Sequence, residues 1–153
     1  MMNNHSTGRW ASALVLVGAL AGACGGGGGS DSGGATNKAG WEKKYASAVK
    51  VVSDDLDRSI QALNAGERNV VLMSCTQLNE DLADARKATP VPDATVDAAL
   101  KSALDATTTG VTTCLQGARL TSNQADTVEK AQREMKTART SFDAAQTAIG
   151  AWK

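Results

Sequence analysis

Apolar residues recur at three- and four-residue steps along four stretches of the chain after residue 40. The first stripe is Trp41, Tyr45, Ala48, Val52, Leu56, Ser59/Ile60 and Leu63. That spacing lays side chains along one face of an amphipathic α-helix. Asp54, Asp55, Asp57 and Arg58 fall largely off the stripe. Asn64-Ala65-Gly66 ends it, and Gly66 suits the left-handed turn that closes many helices. The second stripe is Val71, Cys75, Leu78, Leu82 and Ala85, running to about Lys87. Pro90 and Pro92 then push the residues before them to extended geometry, and Asp93 can cap the next helix. The third stripe is Val96, Leu100, Ala103/Leu104, Thr107, Val111, Cys114 and Ala118. It keeps register through TTTGVTT, a poor helix segment, so one continuous, bent helix is expected, with hydroxyls bonding back to carbonyls. The fourth is Val128, Ala131, Met135, Ala138, Phe142, Ala145, Ile149 and Trp152, opened by a capping box at Thr121-x-x-Gln124.

These stripes predict helices over about 41–64, 67–88, 93–119 and 122–151. Short loops between helices of similar length favour an all-α, antiparallel up-down four-helix bundle, about 30–40 Å long at 1.5 Å per residue. An even number of passes brings Trp41 and Trp152 to the same end. Both continue core stripes, so they are expected to plug that end rather than dip into lipid headgroups as interfacial aromatics do.

The first 40 residues read differently. Arg9 and the free amine precede an apolar run from Trp10 to Leu20, and small residues Ala21, Gly22 and Ala23 precede Cys24. These are the three parts of an export signal, and the run is shorter than the roughly 20 apolar residues that span a bilayer. Leu20-Ala21-Gly22-Ala23-Cys24 resembles the lipobox of bacterial lipoproteins, with Ala21 in the usual Leu position. The resemblance implies cleavage before Cys24, a thioether-linked diacylglycerol on its sulfur, and a palmitate-type acyl anchor in the outer face of the cell membrane. Two or more acyl chains hold firmly where one holds marginally. Gly25 to Gly34 (GGGGGSDSGG) has no apolar residue and no means of packing. Residues 24–40 therefore read as a flexible leash: sixteen steps from Cys24 to Gly40 span roughly 20–24 Å r.m.s.. The plain alternative is a secreted protein with a chance cysteine at this place.

Cleavage changes the chemistry open to the chain. Without Arg9 the mature chain holds 15 bases against 16 acids, net −1, and no basic patch suggests nucleic acid. His5 is the only histidine and lies in the leader. Its removal excludes Ser-His-Asp and Cys-His catalysis and every His-containing metal site. No P-loop, GxSxG, HExxH or EF-hand loop occurs. Two acid clusters, Asp54/Asp55/Asp57 and Glu80/Asp81/Asp84, read as solvated faces, because buried carboxylates are costly. Asp54 with Arg58 and Asp84 with Lys87 are the expected local ion pairs, as is Glu129 with Arg133. No catalytic residue, metal site or cofactor is expected.

Cys75 and Cys114 remain once Cys24 carries lipid. Both lie on inward stripes of neighbouring helices, and an exported protein is oxidised. A disulfide is expected in preference to two buried free thiols; a redox role has no CxxC spacing or nearby base behind it. The 39-residue loop is worth roughly 4 kcal/mol in the chain-entropy account. TTTGVTT costs the third helix on the order of 4 kcal/mol against alanine, so the staple falls where the helix is weakest. One length is awkward. Cys75 lies 13 residues before Ala88 and Cys114 lies 21 after Asp93, a mismatch of about 12 Å of helix rise. The extended TPVP segment, or a later helix start, has to absorb it; otherwise the Cα atoms stay beyond about 7 Å and cannot bridge.

Cys75, Pro90-Val91-Pro92-Asp93 and Cys114 together resemble the small helical-bundle lipoproteins of actinobacteria. The resemblance implies the fold and the disulfide and brings no activity. The sequence thus predicts a non-catalytic, membrane-anchored structural or partner-binding protein of the cell envelope. The competing expectation is a lipoprotein that holds a lipid or small apolar ligand between its helices, which needs a pocket of at least about 300 Å³.

Overall fold

Asn37 sets where the first helix begins. Its side chain accepts a hydrogen bond from the Gly40 amide at 2.9 Å and satisfies a donor that the first turn leaves free. In the computed structural model, which describes residues 36–120 and 124–153, helix α1 therefore spans Lys38–Ala65. The reading of residues 24–40 as leash is corrected at its end: the helix starts three residues before Trp41. Ala39 and Gly40 hide this start, because neither belongs to an apolar stripe. Gly66 closes α1 at φ 76°, and its amide bonds back to the Ala62 carbonyl.

Helix α2 spans Arg68–Ala85 and gives way to a single 3₁₀ turn over Arg86–Ala88. The α-helix expected to run to about 88 thus ends three residues early. Helix α3 spans Ala94–Arg119, capped by Asp93, whose carboxylate accepts from the Thr95 and Val96 amides. It runs unbroken through TTTGVTT. The hydroxyls of Thr107, Thr108, Thr109 and Thr112 each donate to the carbonyl four residues earlier at 2.7–3.1 Å. Helix α4 spans Gln124–Ala151. The start expected at Thr121–Asn123 lies outside the described residues, as do the leader, Cys24 and the glycine tract.

The chain is all-helical among the described residues. Each helix packs on the next, and α1 also packs on α4. The core takes the predicted stripes, with Val52, Leu56, Leu78, Leu100, Leu104, Val111, Met135 and Phe142 almost wholly buried. Alanines 85, 88, 103, 131, 138 and 145 are also fully buried. Small residues at such positions let helix axes approach closely. Gly110 goes further: a Cβ there would meet Met135 Sδ at 3.0 Å and the Met135 amide nitrogen at 3.3 Å.

Cys75 and Cys114 form a disulfide across α2 and α3, with Cα atoms 6.4 Å apart. The connector absorbs the length mismatch. Ala85 lies ten residues after Cys75, whereas Ala94 lies twenty before Cys114. The difference is about 15 Å of helix rise. The 3₁₀ turn and the extended residues after it cover that distance, with the Thr89–Pro90 peptide cis. Ala88 and Val91 are buried there, in continuation of the α2 stripe.

Candidate functional site

The beginning of α1, the end of α4 and the connector meet at one end of the domain. Trp41 is 1 % exposed, and its indole Nε1 donates to the Ala88 carbonyl at 2.8 Å. The Trp152 ring meets it edge-on, 5.9 Å between centroids, and Tyr45 tilts against its other side at 6.3 Å. Lys38 Nζ donates to the Trp152 carbonyl. Trp41 is therefore a plug with its polar atom satisfied, as the stripes predict.

Beside this cluster runs an open groove between α1 and α4, of about 410 Å³, lined by Trp41, Glu42, Ala46, Val49, Lys50, Gln146 and Ile149. Its apolar floor and charged rim have the composition of a small-ligand site. A second groove of about 460 Å³ lies at the far end of α3, along Thr112, Leu115, Gln116, Arg119 and Leu120. Both open to solvent, unlike the pocket between helices that a ligand-holding bundle requires.

The reading of the two acid clusters as solvated faces holds at Asp57, Glu80 and Asp84, which are exposed, and is corrected at Asp55, which meets the half-buried Asp81 across α1 and α2. Asp55 is 3 % exposed. Its carboxyl shares a hydrogen bond with Asp81 and is paired with Arg58. Burial, joined by the Asp81 contact, pushes Asp55 up to about 6 against the pull of Arg58. Asp81 moves the other way, held down by the hydrogen bonds from Asp55 and Gln77. Below about 6, one proton held between the two carboxyls is the state that burial and this contact favour. Neither residue lines either groove. The expected Asp54–Arg58 pair is replaced: Asp54 bonds Lys50 at 2.6 Å, because Arg58 turns to the buried Asp55. Asp84–Lys87 and Glu129–Arg133 pair as expected.

Sequence spacing holds a sign of this contact. Asp55 sits three residues after Val52 and four before Ser59, and Asp81 three after Leu78, so each borders its stripe. A second polar seam leaves no mark on the stripes. Arg139 donates to the Ser53 hydroxyl at 2.8 Å and pairs with Asp57 and Asp143. Gln146 reaches the same hydroxyl at 3.1 Å. Burial works against the Arg139 charge, but the Asp143 hydrogen bond and Asp57 outweigh it and raise its pKa.

Among the described residues no three His, Cys, Asp or Glu side chains gather in a metal-holding group, and no helix is long and apolar enough to cross a membrane. The class defined by this geometry is an all-helical, disulfide-linked domain with a satisfied aromatic plug and open surface grooves. Comparison with protein-family models, curated proteins and solved structures gives no match.

Proposed function

We propose that the chain is a lipid-anchored protein of the outer membrane face, and that its domain is an antiparallel up-down bundle that binds an envelope partner without catalysis. Cys24 at the junction of an export signal and a glycine leash carries the reading. The Cys75–Cys114 disulfide supports it, because such bonds persist in oxidising compartments. The antiparallel arrangement is supported by contacts that run in opposite senses. Along α1 the sequence Trp41, Ser53, Leu63 meets Trp152, Arg139, Gln132 on α4. Arg68, Cys75 and Arg86 likewise meet Ala118, Cys114 and Asp105.

The test has two arms in the native cell. Cys24→Ser should move the protein from the membrane to the soluble fraction; retention of an unacylated chain ends the anchor reading. Proximity labelling from the anchored protein should recover an envelope protein reproducibly. The groove at Trp41, Val49 and Ile149 encloses nothing between the helices, but its apolar lining supports a second reading, surface capture of a small apolar ligand or lipid along α1 and α4. Native mass spectrometry of the extracted protein should then show a bound small molecule, lost on Val49→Asp.

A further inference from the structure

The first four turns of α1 carry Lys38, Lys43, Lys44 and Lys50 against one acid, Glu42. Asp93, at the start of α3, lies beside Trp152 at the same end, so the surplus belongs to α1 alone. Lys38 leans on Glu42 at 3.9 Å and on the Trp152 carbonyl, and Lys50 is held by Asp54. Lys43 and Lys44 are exposed and have no carboxylate partner among the described residues. Lys44 is held instead over the Tyr45 ring, 5.2 Å from its centroid. Lys38 to Lys44 rise only about 9 Å along the helix, within about one Debye length at physiological salt. Their fields therefore add. The chain as a whole is balanced, 16 bases to 16 acids, so this surplus is local.

Where the chain runs next decides what the surplus faces. Fourteen steps separate Lys38 from Cys24, and a leash of that length would span roughly 19–22 Å r.m.s.. An acylated Cys24 would hold this end, and not the Gly66 end, against the bilayer. We infer that the lysine-bearing start of α1 is a docking face for anionic phospholipid headgroups; this rests on the anchored reading above. The face works by charge alone. The Trp41 ring is buried and its nitrogen is already bonded to Ala88, so no aromatic needs to enter the lipid. Each lysine near an anionic surface contributes about fivefold in affinity. That is weak for a free protein, but a short flexible tether supplies effective concentrations in the millimolar range. Docking would then set which way the bundle points.

Vesicle binding separates this inference from the anchor. The mature chain, residues 24–153 with Cys24→Ser, cannot be acylated at that sulfur, so its behaviour does not depend on lipidation. Cosedimentation should show binding to phosphatidylcholine vesicles that contain phosphatidylglycerol, weakening as salt rises, and none to phosphatidylcholine alone. Lys43→Gln with Lys44→Gln should lower affinity about 25-fold, at about fivefold per lysine, with the circular-dichroism spectrum unchanged. Lys130→Gln with Lys136→Gln, further up α4, should leave binding as it was. Equal binding to both vesicle types, no binding to anionic vesicles, or indifference to the Lys43/Lys44 change overturns the docking face. Failure of Cys24→Ser to release the protein from cells overturns the anchor instead.

Discussion

Asp55→Asn should make the domain more stable at neutral pH, although it removes a charge that is paired with Arg58 in the native fold. An unfolded aspartate titrates near 3.8, and in the fold Asp55 is raised to about 6. Below the lower value both states hold the proton and the shift is without effect. As pH rises from there, the unfolded chain releases its proton first, while the fold keeps one. Stability therefore falls across that window and levels off above about 6. A shift of this size corresponds to about 3 kcal/mol at 1.36 kcal/mol per pKa unit. Asp81 is lowered and contributes in the opposite sense, with stability present above its unfolded value and lost as pH falls through its folded one. That contribution changes only below about 3.8, outside the Asp55 window, so the loss of stability between 3.8 and 6 follows Asp55.

Asparagine reproduces the protonated acid. Its amide can donate to Asp81 and its oxygen can still accept from Arg58. Urea unfolding followed by circular dichroism at pH 4.5 and pH 7.5 reads both quantities. Wild type should lose on the order of 1–3 kcal/mol between the two conditions, and Asp55→Asn should be flatter and more stable at the higher pH. Asp55→Asn less stable than wild type at pH 7.5, together with a flat wild-type profile, would refute the shared proton.

Two further changes test the packing. Replacing Cys75 and Cys114 by alanine frees a loop of 39 residues and should cost about 4 kcal/mol. The urea m-value should rise as the unfolded chain expands, and a loss under about 1 kcal/mol with an unchanged m-value would count against the staple. Gly110→Ala and Gly150→Ala should differ in sign. At Gly110 the new Cβ meets the Met135 backbone, so overpacking of about 1–3 kcal/mol outweighs the helix-propensity gain. At Gly150 nothing lies within 4 Å, so the gain of up to about 1 kcal/mol survives. Thermal melts of both variants decide it, and a stabilised Gly110→Ala would show that α3 and α4 separate more easily than their contact implies.

The helices were legible because the apolar period held over about twenty residues or more, in α3 even where TTTGVTT has poor helix propensity. Trp41, Leu56, Leu78 and Met135 sat on their stripes and are buried. Ends were less legible, for particular reasons. The start at Lys38 depends on the side chain of Asn37, a signal carried by one residue inside a segment that otherwise reads as coil. The end of α2 depends on how far Ala88 and Val91 must stretch to stay in the core, a tertiary length that no local pattern encodes. The Asp55–Asp81 contact needed the rotational setting of α1 against α2. A stripe gives the mean direction of a face, but residues at its edge are decided by which neighbour lies there. Asp57, two positions on, stays exposed.

The end of the domain where α1 begins is held by bonds that cross between chain segments. Lys38 reaches the carbonyl of Trp152, Trp41 reaches that of Ala88, and Asp97 accepts the Val91 amide at 2.8 Å. Burial opposes the Asp97 charge, but Lys101 and the Val91 amide outweigh it and keep its pKa low, so this clamp stays ionised at neutral pH. Under the anchored reading, any pull from the membrane enters through the coil at the first turn of α1. A bare helix end would fray there, since its terminal turns lack hydrogen-bond partners. Here the same turn is tied to the last residues of α4 and to the connector between α2 and α3. Force applied at Lys38 is therefore shared with other parts of the chain before α1 can unwind. Of those ties only the Trp41–Ala88 bond is fully buried, so under that reading Trp41 would carry most of the load from α1 into the core.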